Sequence, residues 1–181
     1  MGYPAIWIDR VMKCVTSVKY SFLVNGEATE VIVPNRGLRQ GDPLSPYLFL
    51  LCAKGLGNLI KRAHNDNIIH GVSISQNAPM ISHLFFADDS IVFARANVRE
   101  VEAILGILKE YETMSGQMVN LDKCEVSFSS SLSHDIRRRV SSALGFKEVL
   151  SHDKYLGLPT LFKRSKKISF TGIKDRIWKK L

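Results

Sequence analysis

Apolar and polar positions run in short strand-like stretches over much of the chain and switch to a helical period in five places. A helical pattern is already under way at Ile6-Trp7-Ile8 and continues through Val11-Met12 and Cys14-Val15. Next come Tyr20 to Val24 and Glu30 to Val33 around Asn25-Gly26, a strong hairpin signal because Asn-Gly accepts the positive φ angles of a type I′ turn. A loop rich in Gly and Arg leads to Ser45-Pro46, where Ser suits a helix N-cap and Pro the first helical position. That helix should run to about His64, and its apolar residues surround its start, which predicts buried first turns. Strand-like Gly71-Val72-Ser73-Ile74 precedes two further β-type runs, Ile81 to Ala87 and Ile91 to Ala94, separated only by Asp88-Asp89-Ser90. They read as a hairpin with acids at its tip. Asn97 then caps a helix with Val101, Ile104, Leu105, Leu108 and Tyr111 on one face, ended by Gly116. Beyond it lie a strand near Cys124 to Phe128, a helix from about Ser133 to Leu144 stopped by Gly145, a short extended piece around Tyr155-Leu156-Gly157, and a last helix with Phe170, Ile173, Ile177 and Leu181 on one stripe. No internal repeat or low-complexity linker interrupts the pattern. The fold class expected is α+β, with antiparallel hairpins and helices on one face of the sheet.

Composition supports a globular chain: 181 residues, 45% hydrophobic and 23% charged. The formal net charge of +8 suits a polyanionic partner or an acidic membrane surface. Much of the excess sits late. Between Lys163 and Leu181 eight basic residues are opposed only by Asp175, and Arg137-Arg138-Arg139 lies just upstream. Cys14, Cys52 and Cys124 are odd in number and lack zinc or disulfide spacing, so they are expected to be reduced, mostly buried thiols of an intracellular protein, in nucleus, cytoplasm or an organelle. The longest apolar stretch, Tyr47 to Ala53, is far below the ~20 residues of a spanning helix. Asp9, Arg10 and Lys13 fall where a signal peptide needs an apolar core.

Two places carry chemistry. Adjacent carboxylates at a strand tip, Asp88 and Asp89, repel each other unless a divalent cation such as Mg²⁺ lies between them. An ordinary turn also uses Asp, so the pair alone does not decide. The second place is the loop Arg36-Gly37-Leu38-Arg39-Gln40-Gly41-Asp42-Pro43-Leu44. Its glycines permit close backbone approach, Arg39 and Gln40 offer donors, and it feeds a helix N-terminus that favours anions. A plain connection with a good helix cap has the same residues.

Gly37-Leu38-Arg39-Gln40-Gly41-Asp42-Pro43-Leu44-Ser45-Pro46 followed by Phe86-Ala87-Asp88-Asp89 resembles the reverse transcriptase domain of LINE-type non-LTR retrotransposons, in the form common in plant genomes. The first stretch is similar to that family's motif B and the second to motif C. Gly116-Gln117-Met118-Val119-Asn120-Leu121-Asp122-Lys123-Cys124 resembles motif D, and Lys154-Tyr155-Leu156-Gly157 resembles motif E, the primer grip. The resemblance implies a polymerase palm over residues 1–160 and the start of a helical thumb, or a connection, over residues 161–181. It implies a two-metal RNA-directed DNA polymerase whose partners are an RNA template, a DNA primer and deoxynucleoside triphosphates. Asp88 would be a ligand to both Mg²⁺ ions and Asp89 its supporting neighbour. Arg39, Gln40 and Gly41 would lie against nucleotide and template. Lys123 would donate a proton to leaving pyrophosphate, while Tyr155, Leu156 and Gly157 would place the primer end. Arg137, Arg138, Arg139 and the basic C-terminal helix would grip nucleic-acid backbone.

The family's remaining metal ligand, the motif A aspartate, has no counterpart in the sequence, and neither do the fingers. Asp9 lies in a helical pattern and does not replace it. With acids from one side only, the chain alone is expected to be inactive, and an uncovered sheet edge predicts marginal stability or self-association. Two other readings remain: a non-catalytic retroelement remnant that at most binds nucleic acid, and an intron maturase. The motif B loop and Phe86 lean away from the second.

Overall fold

In the computed structural model, which describes residues 2–35, 37–150, 154–155, 158–159, 174–175 and 177–179, turn and cap chemistry sets the local elements. In chain order they are α1 (Ala5–Thr16), β1 (Leu23–Val24), β2 (Glu27–Ala28), α2 (Ser45–Asn65), β3 (His83–Phe86), β4 (Asp89–Val92), α3 (Val98–Ser115), β5 (Glu125–Val126), α4 (His134–Leu144), β6 (Lys147–Glu148), β7 (Lys154–Tyr155) and β8 (Leu158–Pro159). Asn25 and Gly26 take φ of 53° and 87°, as a type I′ turn requires, and pair Val24 with Glu27. The ladder continues from Thr29 N–H to the Phe22 carbonyl and resumes at Tyr20 with Ile32, so the return strand carries one extra, bulged residue.

The helix expected at Ser45 begins there and ends at Asn65, but Ser45 is not its cap. Leu44 occupies the cap position, and the Ser45 hydroxyl donates instead to the Arg39 carbonyl at 2.7 Å. The first turns of α2 are also not buried: Tyr47 is 68% exposed and Leu50 61%. The buried residues of α2 are Leu56, Ile60 and Ala63, because its contacts with α3 and β3 fall on its later turns. At Gly57 a Cβ would come within 3.3 Å of His83 Nε2 and 3.4 Å of the Phe85 ring, so the missing side chain lets the helix sit directly on β3.

The core gathers Leu56, Ile60, Ala63, Ile69 and Tyr111, flanked by Phe85, Val92, Ile104 and Leu108. This is the α3 face that its spacing predicts. On the other side α3 meets α4, where Val140 is buried. Gly116 and Gly145 stop the two helices in the left-handed conformation.

The α+β class holds, while a single sheet covered on one face does not. Among the described residues the strands form four separate two-stranded units. Three are antiparallel; β5 and β6 are parallel. Most strands are two residues long, too short to recruit neighbours. The thiols also differ from expectation, for Cys14 is exposed and Cys52 and Cys124 are half-buried. Burial raises the pKa of the latter two. The basic C-terminal helix lies largely outside the described residues, of which Lys174, Asp175, Ile177 and Trp178 are helical and exposed. Among the described residues no helix is long and apolar enough to cross a membrane.

One polar group joins the parts. Glu100, 3% exposed, accepts from the backbone amides of His70 and Arg95, each at 2.9 Å, and from the Asn97 amide group at 3.1 Å. The two backbone amides meet Oε2, while Oε1, which accepts from Asn97, also lies 2.9 Å from His70 Nδ1. Asn97 in return accepts from the Glu100 amide at 2.9 Å, a reciprocal cap of α3. Burial pushes the Glu100 carboxyl up, and these hydrogen bonds outweigh it, holding the pKa below its ordinary value. A depressed pKa stabilises the fold above the unfolded-state value, and that stabilisation is lost as pH falls through the folded-state value. Thermal midpoints measured between about pH 6 and pH 3 should therefore fall more steeply for the native protein than for Glu100→Gln, which starts lower at neutral pH. Parallel curves would show that Glu100 does not carry the acid sensitivity.

Candidate active site

The register of β3 and β4 places the two acids differently from the sequence expectation. His83 pairs with Val92, Leu84 with Ile91, Phe85 with Ser90, and Phe86 with Asp89. The turn is therefore Ala87-Asp88, and Asp89 is the first residue of β4 rather than part of a three-residue tip. Ala87 takes a φ of 50°, a left-handed conformation that costs an L-residue roughly 1–2 kcal/mol. Two strands closing over two residues demand it, because β4 must turn back before Asp89 can pair.

Alternation along the strands separates two faces. His83, Phe85, Ser90 and Val92 form the face toward α2, where Phe85 and Val92 join the core. The His83 and Phe85 rings lie 4.6 Å apart, and burial lowers the His83 pKa. Leu84, Phe86, Asp89 and Ile91 share the outward face, with Leu84 42% and Phe86 58% exposed. Asp89 thus stands on an apolar surface that is exposed at Leu84 and Phe86 and half-buried at Ile91. Both carboxylates are exposed, and among the described residues neither makes a hydrogen bond or ion pair. Their oxygens are free for a hard cation. No third His, Cys, Asp or Glu joins them in a metal-binding group among the described residues. Asp9 lies in α1 and pairs with Lys13 at 2.9 Å.

The loop before α2 is tied at both ends. Asp42 Oδ1 accepts from the Leu44 amide at 2.7 Å, and the Arg39 carbonyl accepts from Ser45 Oγ. Between these ties Gly41 has a φ of 79°, while a Cβ there would meet nothing within 4 Å. Its glycine is needed for backbone conformation rather than space. Arg39 and Gln40 are exposed beside it.

Other candidate residues are less gathered. Lys123 ends a short 3-10 turn at Leu121–Lys123, is exposed, and makes no hydrogen bond or ion pair with Asp88 or Asp89. Tyr155 pairs through its backbone with Leu158, and Leu156 and Gly157 lie outside the described residues. The arginine run divides. Arg137 is held within the fold: its guanidinium lies 5.8 Å over the Phe128 ring, Nη2 donates to the Ser129 carbonyl at 3.5 Å, and Nε sits 3.5 Å from Glu148. It is therefore not free for a partner as expected, since helical periodicity turns it inward while Arg138 and Arg139 stay exposed. Glu100 was not among the candidate site residues. The spacing Asn97-x-x-Glu100, a capping signature, was the available signal.

Comparison with known proteins gives a consistent result. The family model described as "Reverse transcriptase (RNA-dependent DNA polymerase)" matches residues 1–174. An uncharacterized mitochondrial protein of Arabidopsis thaliana is 51% identical over 69 residues, which cover 38% of this chain and 57% of that protein. A retrovirus-related Pol polyprotein from a type-2 retrotransposable element of Drosophila melanogaster is 30% identical over 123 residues, or 68% of this chain and 11% of the polyprotein. Another, from a type-1 retrotransposable element of Popillia japonica, is 31% identical over 116 residues, or 64% and 18%. The chain thus spans a minor part of the two polyproteins it matches.

If the tight turn sets the acids' position, Ala87→Val should destabilise the protein in denaturant unfolding, because β-branching adds to the strain alanine already bears at this φ, and Ala87→Gly should not. Equal losses in both variants would remove positive φ as the constraint.

Proposed function

The chain belongs to the reverse transcriptase (RNA-dependent DNA polymerase) family, and from that membership we propose that it forms part of the palm of a non-LTR retrotransposon polymerase. The observation that supports this reading best is the β3–β4 hairpin, with free acids at its turn and its buried face seated on α2. Asp88 and Asp89 would hold Mg²⁺, which when bound neutralises phosphoryl charge and lowers the pKa of a coordinated hydroxyl. Hard, exposed carboxylate oxygens with no internal partners fit that ion.

The chain's own contribution is positioning. The Ser45 and Asp42 ties hold the loop so that Arg39 and Gln40 present donors beside Gly41. Such donors suit the phosphates and base edges of a nucleotide and its template. Lys123 would supply a proton to the leaving pyrophosphate, and Tyr155, Leu156 and Gly157 would set the primer end. Arg138 and Arg139 would contact backbone phosphates of an RNA–DNA hybrid, whose A-like form is read by shape.

Two carboxylates on one hairpin do not complete a two-metal site, because in-line transfer needs ligands converging from separate strands. We therefore propose that these residues do not polymerise by themselves. Purified protein given primer, RNA template, nucleotides and Mg²⁺ should show no extension; extension abolished by Asp88→Asn would overturn this. For nucleic-acid binding, Arg138→Ala combined with Arg139→Ala should weaken hybrid affinity and flatten its dependence on log salt concentration by about 1–2 units of slope. An unchanged slope would exclude these arginines from the contact.

A further inference from the structure

The β1–β2 hairpin and its base form an arm in which every residue from Ser21 to Asn35 is exposed. Its tip is Asn25-Gly26, and of the eight asparagines in the chain only Asn25 is followed by glycine. Gly26 stands between the ladder partners Val24 and Glu27 and is not one of them, so no ladder bond holds its amide. A Cβ at Gly26 would meet nothing within 4 Å, which leaves open space around the turn. The strands on either side are two residues each, and below them Ser21 Oγ donates to the Thr29 carbonyl at 2.8 Å while the Phe22 amide donates to Thr29 Oγ1 at 2.9 Å. A two-stranded ribbon held by so few bonds, with no buried side chain, opens locally at little cost in free energy.

We propose that Asn25 is a site of spontaneous covalent modification, at which the Gly26 amide nitrogen attacks the Asn25 side chain and converts it to aspartate and isoaspartate. The bond formed joins Gly26 N to Asn25 Cγ. The bond broken is Cγ–Nδ2, and the side-chain amide leaves as ammonia with the proton given up by the Gly26 nitrogen. Water then opens the resulting cyclic imide. Addition at Cγ restores the ordinary backbone and leaves an aspartate; addition at the Asn25 backbone carbonyl carbon leaves the main chain running through Cβ and Cγ, an isoaspartate. Water is the sole co-reactant, and nothing is oxidised or reduced. The reacting groups belong to neighbouring residues, so proximity favours the attack. A Cβ on the second residue would obstruct it, and glycine has none. Asn67 and Asn77 show what glycine adds: both are exposed and left-handed, with φ of 54° and 71°, but they precede Ile68 and Ala78. The closed turn fixes Asn25 and Gly26 at φ of 53° and 87°, and local opening of the arm supplies the rotation that attack needs.

The two products act on the fold differently. Asp-Gly accepts a type I′ turn as Asn-Gly does, so the aspartate form keeps the hairpin. Isoaspartate adds a methylene to the main chain of a two-residue loop, and the length of that loop sets the register of Val24 with Glu27 and Leu23 with Ala28. The isoaspartate form therefore loses the arm from its tip downward. Both products lower the net charge of +8 by one and put a new carboxylate in the same turn as Glu27.

The test ages the native chain at mildly alkaline pH and physiological temperature, then follows each asparagine-bearing peptide by mass for conversion of amide to acid. Isoaspartate is counted with an isoaspartyl methyltransferase, which transfers a labelled methyl group from S-adenosylmethionine to the isoaspartyl carboxylate. Conversion should appear at Asn25 and be absent at Asn67 and Asn77 until most of Asn25 has reacted. Asn25→Gly keeps a turn-competent Gly-Gly pair and should lose the methyl label. The structural consequence is read by hydrogen exchange at the Thr29 and Ile32 amides, which donate across the arm to the Phe22 and Tyr20 carbonyls at 2.7 Å each. Exchange there should be faster in the isoaspartate fraction, separated by ion exchange, and unchanged in Asn25→Asp. Asn67 or Asn77 keeping pace with Asn25, full labelling of Asn25→Gly, or an Asn25 that reacts only when the chain is unfolded in urea would overturn the site. Equal exchange in the isoaspartate fraction and in Asn25→Asp would overturn the loss of the arm.

Discussion

A buried carboxylate with four donors around it fixes where the acidic hairpin stands. Glu100 binds the turn after α2 through His70, the exit of β4 through Arg95, and the first turn of α3 through Asn97. Hydrophobic burial alone leaves helices and strands free to slide over one another, because it has no direction. Hydrogen bonds to a desolvated anion have direction and are expensive to leave unmade, so they select one arrangement. The core then adds the energy. Ile60, Ile69 and Tyr111 fill the space between α2 and α3, and Phe85 and Val92 bring the hairpin into that same cluster.

Burial is distributed unevenly along the chain. Among the described residues every buried one lies at Leu56 or beyond, while those before it include α1, the arm and the start of α2 without one buried side chain. The two regions are held by different means. The later one has a core and a polar junction; the earlier one relies on local bonds such as Ser45 to Arg39, Asp42 to Leu44, and the hairpin ladder. Stacking of Tyr3 on Trp7 at 4.5 Å and the Asp9–Lys13 pair add little more than local order. Exposed apolar side chains in this region are the physical basis for association, whatever covers them.

Sequence signals were legible where the deciding interaction is local. Asn25-Gly26, Asn97, Gly116 and Gly145 act within a few residues, and each stands where its chemistry places it. Signals that depend on a distant partner were not. The Ser45 hydroxyl could cap its helix or tie the loop, and only the folded position of the Arg39 carbonyl decides. The start of α2 is apolar but lacks a neighbour, so composition suggested burial that packing does not provide. Arg137 looks like Arg138 and Arg139 in sequence; Phe128 and Glu148, which flank its helix on either side, draw it inward. The family was readable because its motifs are short and ordered, and the match over residues 1–174 agrees.

The one-residue displacement of the turn changes how the site must be completed. Asp88 lies in the turn, whereas Asp89 belongs to β4 and shares the outward face with Leu84, Phe86 and Ile91. In the open chain water screens the repulsion between the two exposed charges. Any strand or helix that covers the apolar outward face also removes that water and so strengthens the repulsion. Covering the face is thus favoured by its apolar residues and opposed by its acids. A divalent cation removes the opposition, and a further carboxylate carried by the covering element would give that cation a ligand from the other side. On the proposed reading, metal binding and completion of the layer would be thermodynamically linked, each strengthening the other. That linkage would account for an apolar face and two unpaired acids on the same hairpin.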